Sequence, residues 1–496
     1  MWVAAVLVLS VAHIVRRFKK RAEEDDDSAP SRAVASVLLL AALVVALAQT
    51  IVVGVLADLA REFGTDAVGA TWMLTAFMLA SAVATPIAGR LGDQHGHRRV
   101  IVTGLALLAI GSVLTAVSVG AGWYSGALLG RVVQGFAGGV FPCTFGLARQ
   151  VLPGQRLPRV IAALSAMFGV GGAAGMVVAG PLADVAGTSA VFWTIAGLSV
   201  IALAGSGALP RHQAGNPQSR GFDITGGVLL AAALVSLLLA ISQARSWGAA
   251  SPATVGLGIA VLVFAGAFGA VEHRTAEPLI DLRLLFGRRL IALNVATVVT
   301  GLGMFAAVTL LPLLAQAPPQ SGYGFGYSAA RTGLLIAPIG VCMTVAAPVT
   351  SRLAGQKKGA RGVFQAGATL AAVGLLGLCA FHDRPLHVAI SGAVLGLAYG
   401  LAFGSIGTLV VDATPPEQTG AAAGINTILR TVGGAMGSAI AVAIVAASST
   451  SHGPPTEAGY KTAFLVSAAV VGLAALIAAA IPATASDAHL RDEIRE

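Results

Sequence analysis

Residues 84–94 read Ala84-Thr-Pro86-Ile-Ala-Gly89-Arg90-Leu91-Gly-Asp93-Gln94, and residues 346–356 read Ala346-Ala-Pro348-Val-Thr-Ser351-Arg352-Leu353-Ala-Gly355-Gln356. Ala84, Pro86, Arg90, Leu91 and Gln94 each recur 262 positions later. The same offset carries Val170, Gly171, Gly172, Ala173 and Gly175 onto Val432, Gly433, Gly434, Ala435 and Gly437. Two matches in one register, tens of residues apart, are hard to attribute to glycine-rich composition alone. The chain therefore contains a duplicated unit.

Working outward, both copies are embedded in apolar sequence. Of the 496 residues, 56% are hydrophobic and only 11% charged. A soluble globular protein carries about 25% charged residues, so this chain cannot cover a water-facing surface of its size and reads as an integral membrane protein. A helix needs about 20 apolar residues to cross the hydrocarbon core, because backbone polar groups there must pair within the segment. Fourteen such runs fall between residues 34 and 482.

The reading is an all-α membrane fold in five parts: a tail over 1–33, a six-helix bundle over 34–209, a linker with two inserted spans over 210–290, a second six-helix bundle over 291–482, and a tail over 483–496. Two such halves related by an axis along the membrane normal place a substrate cavity at their interface near the midplane. That is the plan of an alternating-access carrier.

Charge sets the expected orientation. The net charge is +9, but the 31 Lys and Arg sit in short gaps between apolar runs rather than in a nucleic-acid-binding patch. With the amino end in the cytoplasm, 24 of them fall in cytoplasmic segments, 5 in external loops and 2, Arg131 and Arg430, inside spans. That bias puts both termini in the cytoplasm of a multi-pass protein of the cell membrane. Residues 1–15 are apolar, but their charges follow rather than precede them, so a cleaved signal is not expected. An interfacial helix and a misassigned start both fit. Glu23 to Asp27 reads as a solvated acidic tail.

Several functions lack their chemistry. Cys143, Cys342 and Cys379 lie far apart in apolar stretches, which suggests neither a disulfide framework nor a zinc site. None of the five lysines follows a glycine, so there is no phosphate-binding GK[ST] loop. No nucleophile elbow or metal cluster is present, and neither an enzyme nor a cofactor is expected. His95 and His97 occupy loop positions where an imidazole could titrate near neutral pH, and the plainer reading is exposed surface histidine.

After span two comes Gly89-Arg-Leu91-Gly-Asp93-Gln-His-Gly96-His-Arg98-Arg99. This resembles the GxLxDxxGxRR loop signature of the major facilitator superfamily, and the fourteen spans resemble its drug/proton antiporter branch. Asp93 at a helix end can face the positive amino end of a neighbouring helix, with Arg98 and Arg99 on the cytoplasmic side, making a breakable latch between halves. The second copy has Gly355 in place of the acid, so the latch is one-sided.

In span four, Arg131-Val-Val-Gln134-Gly135 resembles the family's RxxQG element. A buried arginine costs several kcal/mol unless paired and is a functional-site hypothesis by default. Arg430 in span thirteen is the other. Arg131 has Ala393 at its repeat position and Arg430 has Phe168, so the duplication itself demands neither charge. The alternative for both is a structural arginine satisfied by carbonyls or snorkelling to the interface. Span five resembles the branch's glycine-rich antiporter element. Gly171, Gly175, Gly180, Gly433 and Gly437 are expected to form a seam between spans five and thirteen, either pliant or statically packed. Phe222-Asp223 through Trp247-Gly248, Glu277 through Arg283, and Gly420 through Arg430 also look like that branch.

One element departs from the pattern. These antiporters commonly carry LDxTIVN in span one, whereas this chain has Leu47-Ala48-Gln49-Thr50-Ile51-Val52-Val53. The acid is missing, and Asp58 lies roughly 15 Å further along a helix, near the external mouth. With two arginines in the spans and no deep carboxylate, the pocket should favour neutral or weakly anionic apolar molecules over lipophilic dications. Gln49, Thr50, Gln134, Asn294 and Asn426 are the polar groups available to orient a ligand. The resemblance implies export of hydrophobic small molecules by proton antiport, with the bilayer and protons as partners. A dedicated exporter of one endogenous metabolite or lipid, or a non-transporting sensor or scaffold, are the alternatives.

Overall fold

The computed structural model describes residues 29–65, 67–152, 156–211, 223–248, 250–275, 287–354, 359–415, 418–448 and 455–480. Residues 1–15, the acidic run 23–27, Gly355 and Gln356, Phe222, the stretch 277–283 and the tail 483–496 lie outside the described residues. All regular secondary structure among the described residues is helical.

In the first half, α1 (Ala29–Thr50) runs into a tight 3-10 turn, Ile51–Val55, and a short α2 (Leu56–Glu62). Next come α3 (Ala67–His95), α4 (His97–Gly120), α5 (Tyr124–Gly135), α6 (Val140–Val151), α7 (Arg156–Ala186) and α8 (Thr188–Gly205). Span four is thus two helices in line, α5 and α6, joined by a 3-10 turn over Phe136–Gly139. The inserted pair is α9 (Ile224–Trp247) and α10 (Pro252–Arg274). The second half holds α11 (Arg288–Gln316), α12 (Ala329–Ala354), α13 (Gly359–Ala380), α14 (Pro385–Ala413), α15 (Thr419–Ala447) and α16 (Glu457–Ile477). Among the described residues eleven of these helices are long and apolar enough to cross a membrane, and the bent α7 makes twelve. The two remaining expected spans are the broken α5/α6 rod and α12, whose apolar stretch is the shorter 331–346.

Local chemistry marks the ends. Asp223 caps α9 by accepting from the Gly226 N–H at 2.8 Å, and Ser251 caps α10, where Pro252 opens the helix with no N–H to satisfy. Within the apolar helices, hydroxyls return to the carbonyl one turn back, as Ser112 does to Leu108 at 2.6 Å and Thr300 to Ala296 at 2.7 Å. No hydroxyl in these pairs faces hydrocarbon without an acceptor.

Two hydrophobic cores result, one built mainly from residues 34–209 and the other from 290–478. They meet through helices that the 262-residue offset makes equivalent: α7 packs on α12, and α15 packs on α3. The inserted α9 lies across the second junction, where Leu234 and Leu238 pack with Ala82 of α3 and Ile428 of α15. Its partner α10 packs on α9 and is otherwise exposed, presenting Val255, Ile259, Leu262 and Val263 outward. An apolar face with no protein cover suits hydrocarbon as its solvent.

Candidate functional site

A cavity lies between the halves. The first half contributes Gln49 from α1, Ser81 and Thr85 from α3, Phe141 from α6 and Phe168 from α7, and the second contributes Thr427, Ile428 and Thr431 from α15. Leu234 and Leu238 of the inserted α9 close one side. An apolar wall with a few hydroxyl and amide groups is the usual make-up of a small-molecule pocket.

At one end of the molecule the halves are held together. The Asp93 carboxylate, at the end of α3, accepts from the backbone N–H groups of Gly420 at 3.0 Å and Ala421 at 2.8 Å. These are first-turn donors of α15 with no carbonyl of their own helix to reach, and the helix dipole adds to the attraction. The close approach depends on glycines: a Cβ on Gly89 would stand 2.7 Å from the Gly420 oxygen, and one on Gly420 would stand 2.8 Å from Asp93 Oδ1. Gly96 turns the chain between α3 and α4 at φ +97°, where a side chain would be strained. Arg98 is half-buried and Arg99 exposed beside the turn.

The sequence reading missed a second clasp at this end. Arg149 of α6 donates through Nη1 to the carbonyls of Val411 and Thr414, the latter at 2.7 Å, and to Thr419 Oγ1 at 3.0 Å. It thereby binds the end of α14 to the start of α15. In the sequence it is one more basic residue at a span end, with nothing to separate it from an orienting charge.

His97 corrects its expected exposure. It is fully buried, with Nε2 3.3 Å from Asp93 Oδ1, in a slot where Cβ atoms on Gly92 or Gly146 would collide with the ring. His95 is exposed as expected.

Arg131 is fully buried within the first half and does not line the cavity. Its Nε donates to the Met73 carbonyl at 2.8 Å, its Nη1 to the Ala48 carbonyl at 3.1 Å and to Gln134 Oε1, and Phe77 covers the guanidinium at 4.5 Å. Gln134 passes the chain on to Ser112 at 2.8 Å. Its Nε and Nη1 are bonded to these oxygens, while Nη2 is buried with no acceptor among the described residues. Ala48, where related antiporters carry an acid, offers it only a backbone oxygen.

Arg430 sits differently. Its guanidinium carbon lies 3.8 Å from the centre of the Phe168 ring, 5.3 Å from Phe403 and 5.4 Å from Phe141. Its Nε and Nη2 are buried and have no acceptor among the described residues.

The structure also bears on the glycine and polar-residue expectations. The predicted glycine seam does not join spans five and thirteen. Gly171 and Gly175 of α7 pack on α1, while Gly433 and Gly437 of α15 pack on α11, where added Cβ atoms would stand 2.2 and 2.0 Å from the oxygens of Val298 and Leu302. Gly180 is loosely placed, and a Cβ added there would stand 4.0 Å from the Gly54 oxygen. The glycines lie inside each half because small residues face the closest backbone approach, and that is between rods one and five, and nine and thirteen. Across the halves the close glycines are Gly89, Gly169, Gly407, Gly420 and Gly424.

Asp58 lies on α2, beyond the 3-10 break, ion-paired with Arg61 and away from the cavity lining. Thr50 bonds to the Ala46 and Gly171 carbonyls, each at 3.3 Å, and so belongs to the α1–α7 contact. Asn426 donates to Thr297 Oγ1 at 2.7 Å, tying α15 to α11. Of the polar ligand-orienting residues expected, Gln49 alone appears in the cavity lining.

Comparison with known proteins agrees with this architecture. A family model described as Major Facilitator Superfamily matches residues 38–437 and 293–495. A tetracenomycin C resistance and export protein of Streptomyces glaucescens is 30% identical over 403 residues, covering 80% of this chain and 73% of the relative. A multidrug resistance protein B homolog of Mycobacterium tuberculosis is 29% identical, covering 80% and 72%. The crystal structure of the human organic anion transporter MFSD10 superposes with a TM-score of 0.65 over 91% of this chain and all of that one, at 15% identity, which speaks for the fold alone.

Proposed function

Because the chain belongs to the major facilitator superfamily, we propose that it exports hydrophobic small molecules across the cytoplasmic membrane by alternating access, driven by proton antiport. The observation that carries this reading is the clasp of Asp93 and Arg149 on the ends of α14 and α15. It ties the two halves together at one end of the cavity through bonds to one charged residue from the first half at each point. Such bonds can be exchanged for water when the halves rock apart, whereas a scaffold that never moved would gain more from apolar packing there. The positive-inside bias supports a cytoplasmic position for this end, and on that reading the clasped form is closed to the cytoplasmic side.

Substrates are apolar because the cavity is. Relatives named for multidrug resistance support a broad substrate range. The relative named for export of a single compound supports the second reading, a carrier dedicated to one metabolite.

The test is reconstitution into lipid vesicles with an imposed pH gradient and a panel of fluorescent hydrophobic compounds. Gradient-dependent accumulation that collapses with a proton ionophore is the expected result. Accumulation that follows membrane potential but ignores the pH gradient removes proton antiport, and no gradient-dependent movement of any compound removes the exporter reading.

A further inference from the structure

Arg430 is a desolvated cation, 5% exposed, in the middle of a protein whose spans contain little to balance it. Among the described residues it has no carboxylate within ion-pair distance and no acceptor for Nε or Nη2. Arg131 is equally buried and its Nη2 also lacks an acceptor, but three oxygens accept from its Nε and Nη1, whereas no such bond holds Arg430 among the described residues. What Arg430 has instead is three ring faces, and a ring quadrupole offsets part of a buried charge while leaving N–H groups unbonded.

The rings have a particular origin. Phe141 and Phe168 come from the first half, and Phe403 and Arg430 from the second. Phe141 and Phe403 are 262 residues apart, as are Phe168 and Arg430, so the cluster is the meeting point of equivalent positions. Phe141 and Phe168 also line the cavity, as do Thr427 and Thr431, which flank Arg430 on α15. The guanidinium therefore stands directly behind the aromatic wall, with two unpartnered nitrogens. Any rocking of the halves draws two of the three rings across it.

We propose that Arg430 anchors the anionic oxygen group, a carboxylate or phenolate, of ring-bearing apolar substrates, with Phe141 and Phe168 covering the guanidinium until such a group takes their place. The substrate supplies the missing acceptor, and its rings stack on the displaced phenyl faces. The inference rests on the exporter reading and narrows its substrate class.

The experiment uses the purified full chain in lipid nanodiscs and three probes on one ring system: 1-naphthaleneacetate, 1-naphthaleneacetamide and (1-naphthylmethyl)trimethylammonium. Binding by calorimetry should favour the carboxylate over the amide by about tenfold or more, as a charge-assisted bond replaces a neutral one, with the ammonium weakest. Arg430→Met should make carboxylate and amide equal, and Arg430→Lys should restore part of the preference. Thermal unfolding of both variants reports that the fold is retained.

Equal binding of carboxylate and amide by the wild type, binding of none of the probes, or a preference that survives in Arg430→Met would each overturn the assignment. The same probes in vesicles separate it from the exporter reading. Gradient-driven transport without charge preference defeats the anchor and leaves the carrier, while charge-selective binding without any transport does the reverse.

Discussion

Asp93 acts on α15 through two backbone N–H groups, so its charge matters as well as its shape. Hydrogen bonds to an ionised acceptor contribute about 1.5–3 kcal/mol each, against about 1 for neutral ones. Asp93→Asn keeps the volume and one acceptor but loses the charge. The clasped form should lose roughly tenfold in population relative to the open one. A Thr427→Cys reporter in the cavity wall, with the native cysteines replaced, should then be alkylated faster from the cytoplasmic side. An unchanged rate would show that the clasp does not govern access. Arg149→Ala should act in the same direction, since it removes three bonds to the same junction. Asp93 was legible in the sequence because its glycine-rich surroundings form a spaced pattern. Arg149 was not, because its partners are two carbonyls and a hydroxyl some 260 to 270 residues away, which leave no local signature.

At the scale of elements, glycine spacing sets how closely helices pack. Gly433→Leu and Gly437→Leu would drive side chains into the α11 backbone at Val298 and Leu302, with no flexible atom able to yield. Overpacking of a tight contact costs about 1–3 kcal/mol and more against backbone, so a clear fall in the thermal unfolding midpoint is expected. Gly180→Ala, whose Cβ meets its nearest atom at 4.0 Å, should leave that midpoint nearly unchanged. The inserted α9 makes a different prediction, since Leu234 and Leu238 are both packing and cavity wall. Leu238→Ala enlarges the pocket by a few methylenes, each worth roughly 1–3 kcal/mol of discrimination. The ranking of exported compounds should shift toward bulkier ones by tenfold or more, read as relative transport rates in vesicles. A parallel loss for all compounds would mean that α9 only packs. The sequence identified spans seven and eight as an insertion but not their place, because two apolar rods carry no period that says which gap they cover.

For the whole molecule, the proposed mechanism has the halves move as bodies about the cavity during transport. Gly169 of α7 faces Met343 of α12 across the junction opposite the α3–α15 pair, and a Cβ on Gly169 would lie 3.1 Å from Met343 Cγ. The Met343 Cβ is one bond beyond that Cγ, which brings the two Cβ atoms within reach of a disulfide between Gly169→Cys and Met343→Cys, whose Cβ atoms stand about 3.8 Å apart. Oxidation should stop transport in vesicles, and reduction should restore it. Transport that continues through an oxidised, cross-linked protein would contradict rocking of the two halves.

The duplicated register and the apolar runs determine the fold from the sequence alone, and the loop pattern singles out Asp93, whose carboxylate bonds the second half. Each is a short-range pattern imposed by the need to pair backbone groups in lipid and to bring helices close. Tertiary structure decided which glycines face their own half, that Arg131 bonds to the Met73 and Ala48 carbonyls, that His97 is buried, and that Phe141, Phe168 and Phe403 gather around Arg430. Those are contacts between residues far apart in the chain. Which face of a helix meets which neighbour follows from packing both halves at once, and no segment holds that information by itself.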